Sequence, residues 1–390
     1  MKSKSAPCRV ASLFVTMLLC AGLAASQDSA LPDLRAPAIV ATAIADSYQP
    51  AYSYSVGPRT YLEGINSLTG LPYPSDAARS RRNLIIKVSN WPQRVRPQHG
   101  INAADIVYEY EAEGGITRFA AIYRSQAPQQ IGSIRSARLL DIELIRMYAA
   151  LLAYSGTSEP IHQIYMNADF RSRLLSPSLG HDCQRAGFCR DDAYAHRGYA
   201  HTLFADARQL WDLASRLTVN QGYRALGFNF ALQADDGGDT AHDTYANWYN
   251  RTDTRWQYDQ ASGIYLRYAD GAPHIDAADS RQLWADNLIY LQVLHIPRPD
   301  LFPAGSRDES EELVLRGQGQ ALVLREGKLY SGFWRRSGVR TGDALGLAHA
   351  DGEPIALKPG RSWITIMRNL DQLEISETRQ ALDTIASADS

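Results

Sequence analysis

Hydrophobic and polar positions are patterned most clearly between residues 83 and 138. Residues 83–89 read as a buried strand, and 106–113 and 116–123 alternate with period two. Ala127-Pro128-Gln129-Gln130 is a turn, so 131–134 is expected as a second short strand folding back on 116–123 as a hairpin. Arg135-Ser136-Ala137-Arg138 then opens a helix with Ser136 as its N-cap. Apolar residues at Leu140, Leu144, Ile145, Tyr148 and Leu152 predict that helix over 139–154, and the spacing repeats over 205–217.

From about Phe228 the texture changes to short strands, at 256–259, 263–267, 288–295, 321–325, 329–335 and 362–367. Ala269-Asp270-Gly271, Glu326-Gly327-Lys328, Ala350-Asp351-Gly352 and Pro359-Gly360 break them. The expected fold class is α+β, with a mixed α/β N-terminal domain over 61–225 and a β-rich C-terminal domain over 226–370. Residues 371–390 read as a polar tail.

The chain ends change the picture of compartment. Lys2, Lys4 and Arg9 precede an apolar run and the small residues Ala24, Ala25 and Ser26, the layout of a cleaved export signal over 1–26. Residues 27–60 read as a flexible linker. Leu19 precedes Cys20, where lipoprotein processing wants a small residue, so lipidation is not expected. Cleavage would take the formal charge from −2 to −5, because three basic residues and no acidic ones leave. A mildly acidic chain excludes nonspecific nucleic-acid binding, and no later stretch has the length and apolarity of a membrane span. The expected location is extracytoplasmic: secreted, periplasmic or associated with the envelope.

Outside the cytoplasm, Cys183 and Cys189 most simply form a disulfide. A zinc site that borrows His181, His196 or His201 is the alternative, and it lacks a close-pair spacing. No dinucleotide, Walker, Gly-x-Ser-x-Gly or His-Glu-x-x-His motif occurs, and no cofactor or metal is expected. The chemistry therefore rests on Thr117, Arg118, Ser133, Arg135, Ser136 and Arg138, three guanidiniums and three hydroxyls that suit a phosphate, pyrophosphate or carboxylate. His201 and Glu113 are the acid and base candidates should a reaction occur there. Against this stands a structural reading, in which the arginines pair with Glu109, Glu111, Glu113 or Asp141. Tyr245, Trp248, Trp256, Tyr258, Tyr265, Trp334 and Trp363 are expected mostly as core rather than as a binding face.

Several runs carry a resemblance. Leu68-Thr69-Gly70-Leu71-Pro72, Ala104–Glu109, Glu113–Arg118 and Ile131–Arg138, then Trp256-x-Tyr258-Asp259, Gly263-x-Tyr265-x-Arg267, Pro273-His274-x-Asp276 and Pro359-Gly360-x-x-Trp363-Ile364, resemble in order the YerB-like lipoprotein family of bacteria. That family has an N-terminal and a C-terminal part and no established activity. Where it usually carries Pro-His-Asn, this chain has Ala200-His201-Thr202. Residues 116–141 also have a weak similarity to the LytR-CpsA-Psr glycopolymer transferases, whose arginines hold a polyprenyl-linked pyrophosphate. That similarity implies an acidic magnesium ligand, for which Asp105 and Glu109 are the candidates. Three functions stay open: binding of an anionic cell-wall or glycan ligand, catalysis on such a ligand, or a purely structural role for the arginines.

Overall fold

The computed structural model describes residues 55–301, 310–338 and 340–378. The expected export signal, most of the linker and the end of the tail lie outside them. Eleven strands form the central sheet. They are β1 (Leu84–Ser89), β2 (Ile106–Ala112), β3 (Ile116–Tyr123), β4 (Leu151–Ala153), β5 (Leu174–Leu175) and β6 (Asp239–Thr240), followed by β7 (Asn287–Gln292), β8 (Gly317–Arg325), β9 (Lys328–Arg336), β10 (Gly346–Ala348) and β11 (Ser362–Met367). Their order is β6-β9-β8-β7-β11-β2-β3-β1-β4-β5, with β10 on the side of β9. The late strand β11 lies between β7 and β2 and is parallel to both, so strands from both expected segments share one sheet.

Helices cover this sheet because both of its faces are apolar. On β1, Ile85 joins one buried cluster, while Leu84, Ile86 and Val88 join the other. Helices α1 (Leu139–Met147) and α2 (Glu159–Met166) pack on the first face through Leu140, Leu144, Ile161 and Tyr165. Helix α3 (Ala207–Arg216) packs on the second through Leu210, Trp211 and Ala214. A smaller antiparallel sheet, built on 243–248, 252–259 and 264–269, sends Trp248, Trp256 and Tyr265 into that second cluster. These rings, with Trp334 and Trp363, are core as expected.

Four local expectations differ from the structure. Residues 131–134 do not form a hairpin with β3, whose edges are taken by β1 and β2. Ile131–Gly132 pairs instead with Leu203–Ala205. The helix begins at Leu139, not beside Ser136. Arg138 is its N-cap residue, with its backbone N–H donating to Asp141 Oδ2 at 2.7 Å. That helix stops at Met147, where Ala149 adopts φ 46°, and Leu151–Ala153 continues as a buried strand. An apolar run that is buried on all sides cannot be assigned to helix or strand by periodicity alone. Finally, Leu373–Ser376 pairs with Asp243–Ala246, so regular structure runs past residue 370.

Candidate functional site

Arg118 reaches the site through sheet register. It lies opposite Ser89 on β1 and Tyr110 on β2, so its side chain shares their face of the sheet. The 131–138 segment lies along β1: Ser89 donates to Ser133 O at 2.9 Å, and Arg135 donates to Lys87 O at 3.0 Å. Arg118, Arg135 and Arg138 therefore converge although the expected hairpin is absent. Glu113, in the β2–β3 turn, contacts Arg138 Nε at 2.5 Å and accepts from Arg138 Nη2 at 2.8 Å; Arg118 is 3.8 Å away. Burial would raise the Glu113 carboxyl, but Arg138 and Arg118 outweigh it and hold it below its usual value.

The cations outnumber this answer. Arg118 is 7 % exposed, and its Nη1 has no hydrogen-bond partner among the described residues; Arg135 Nε also lacks one. Desolvation and the neighbouring Arg138 push Arg118 down to about 9. His201 is buried, with an unpartnered Nδ1, and is lowered to about 4 by burial and by Arg135, Arg94, Arg118 and Arg197. A neutral imidazole is thus ringed by guanidinium charge. Ser133 Oγ donates to His201 O at 2.5 Å, and Arg135 Nη1 donates to Ala200 O at 3.3 Å, tying the His201 turn to the cluster.

Behind Arg118 lies Lys87, fully buried, 2.9 Å from Asp141 and hydrogen-bonded to Tyr110 Oη. Burial lowers it to about 8 despite Asp141. Sequence reasoning missed it, although a lysine inside the run Leu84-Ile85-Ile86-Lys87-Val88 is a visible signal of a paired interior charge. Arg197 is four residues from His201 in the chain, whereas Arg94 was missed, because only tertiary structure brings it near that imidazole.

Not every expected site residue is present. Thr117 points to the opposite face of β3, where it donates to Glu109 Oε1 at 2.8 Å. The hydroxyl of Ser133 is engaged, and Ser136 is half-buried beside the cluster without capping α1. Glu109 accepts from Arg267 at 2.9 and 3.0 Å and from Trp363 Nε1 at 3.0 Å, all of them buried. Asp105 Oδ2 accepts the backbone N–H groups of Arg124 and Ser125. Both acids proposed for magnesium are therefore consumed by the fold, away from the arginines. Among the described residues no group of three or more His, Cys, Asp or Glu could hold a metal. Cys183 and Cys189 form a disulfide, and no described helix is long and apolar enough to cross a membrane.

The chain is 26 % identical over 322 residues to a Bacillus subtilis protein named "Putative lipoprotein YerB", covering 80 % of this chain and 88 % of that one. The crystal structure of the Bacillus subtilis YerB protein superposes with a TM-score of 0.66 at 24 % identity, covering 80 % of this chain and 99 % of the other; it shows the shared fold. Family models described as the N-terminal and C-terminal domains of a protein of unknown function, DUF3048, match residues 68–220 and 244–364. The chain belongs to this YerB-like DUF3048 family.

Proposed function

We propose that this is an exported, envelope-associated protein that binds an anionic ligand, a phosphate, pyrophosphate or glycan-linked anion, through Arg118, Arg135 and Arg138. Location rests on the export-type N-terminus and on the name of the relative. Ligand binding rests on Arg118, a buried guanidinium with an unpartnered Nη1 in a cluster where Glu113 answers only part of the charge. Buried charge without a partner is costly, and an anion bound by bidentate hydrogen bonds would offset that cost. The capped start of α1 is not the receptor, because Asp141 already takes the Arg138 amide.

A structural reading is favoured by the two-point contact between Arg138 and Glu113. A catalytic reading has less support, since Glu113 is a paired carboxylate held below its usual value and so is a poor proton acceptor. Calorimetry of the full chain with pyrophosphate and inorganic phosphate separates them, beside Arg135→Ala and Arg118→Gln. Arg135 is the more solvent-accessible, so its variant should fold. Saturable binding that weakens at least tenfold in both variants (about 1.4 kcal/mol) supports the anion site. An absence of binding, with the variants merely less stable, establishes the structural role instead.

A further inference from the structure

Tyr199 is 75 % exposed, more than any other large hydrophobic side chain among the described residues. Such a ring on a surface loop ordinarily has nothing to hold it. Here the Arg190 guanidinium lies 3.5 Å from its centroid, and Arg190 Nη1 also donates to the Tyr199 carbonyl and to Thr202 Oγ1. Thr202 Oγ1 donates to the same carbonyl at 3.1 Å. Arg190 itself ends the strand Phe188–Arg190, which pairs with Leu203–Ala205 and carries the disulfide at Cys189. The ring is thus fixed in place while most of it faces water.

Its position links it to the arginines. The next residue, Ala200, gives its carbonyl to Arg135, and the one after that is His201, whose carbonyl takes the Ser133 hydroxyl. One short turn, Tyr199–His201, therefore carries both the exposed ring and the imidazole inside the guanidinium cluster. A pre-ordered aromatic surface beside a cluster of guanidiniums suits a ligand that has a ring joined to an anion. The entropy of ordering the platform is already spent before binding. The Arg190 guanidinium covers one face of the Tyr199 ring, so a ligand has only the other face to stack on. A single open aromatic face suits the C–H face of a sugar ring, and a base that stacked there instead would bind as the nucleotide in the test below.

We propose that Tyr199 is a stacking platform for a sugar ring whose anionic substituent sits on Arg118 and Arg135, which makes the ligand class an anionic glycan. The proposal rests on the anion site described above, and the test separates the two. Calorimetry with the full chain would compare glucose 1-phosphate, inorganic phosphate, glucose and adenosine monophosphate as probes, for the unaltered protein, Tyr199→Ala, Tyr199→Trp and Arg135→Ala. Expected is tighter binding of the sugar phosphate than of phosphate. Tyr199→Ala should cut sugar-phosphate affinity by about tenfold and leave phosphate unchanged, and Tyr199→Trp should retain it. Arg135→Ala should weaken both anions. Equal effects of Tyr199→Ala on both anions, no effect on either, or tighter binding of the nucleotide would overturn the glycan assignment while the arginine site stands. If neither phosphate nor sugar phosphate binds the unaltered protein, the anion site fails and the platform falls with it.

Discussion

His201 is the residue whose titration reports the site most directly. Its folded value is about 4, below the ordinary 6.5, because burial and four guanidiniums oppose a further positive charge. Between these values the unfolded chain binds a proton that the folded chain refuses, so stability falls as the pH drops from 6.5 towards 4. The single-residue contribution is at most about 3 kcal/mol. Burial lowers His99, His181, His274 and His295 as well, so denaturant melts across this interval should show a combined slope that His201→Gln reduces by its own share. An anion placed among Arg118, Arg135 and Arg138 would cancel part of the repulsion and raise the imidazole. Its carbon-bound proton resonance should therefore titrate near 4 in the apo protein and distinctly higher with pyrophosphate. A midpoint unmoved by saturating anion would place the ligand elsewhere.

At the scale of elements, the turn that carries Tyr199 and His201 depends on the short strand Phe188–Arg190 and on the disulfide that holds it to Cys183. Closing so short a loop is worth about 2 kcal/mol in the chain-entropy account. Cys183→Ala/Cys189→Ala should lose about that much in a denaturant titration, and sugar-phosphate binding should weaken before phosphate binding does. The pairing of those cysteines was legible from compartment and count, and the principal strands were legible from alternation. Partners were not legible: which strands would flank Ile116–Tyr123 depends on residues 84–89 and 106–112, and period two says nothing about neighbours. The same limit explains Thr117 and Arg118. Alternation puts them on opposite faces, but only the assembled sheet shows that one face meets the Glu109 network and the other meets the arginines.

Over the whole molecule, the N-terminal and C-terminal family segments are joined by more than adjacency. β11 fills the edge of β2 along the register Ser362–Ile366 against Ile106–Tyr110. Glu109 on β2 takes its charge partner from Arg267 and a hydrogen bond from Trp363, both more than 150 residues away in sequence and both buried. Residues 61–225 alone would leave the backbone of β2 open on one side and Glu109 without a counter-charge. Removing one partner of a buried ion pair costs about 3–5 kcal/mol by itself, a large share of the 5–15 kcal/mol typical of a folded domain. The segment 61–225 should therefore show no cooperative thermal transition when produced alone, and should regain one when co-expressed with residues 226–378. Because β3 holds Arg118 through its pairing with β2, and β1 holds Lys87 through its pairing with β3, anion binding should return only with that reassembly. A cooperative melt of 61–225 by itself would mean that β1, β2 and β3 are held by their own contacts and that the arginine cluster needs nothing from the second segment.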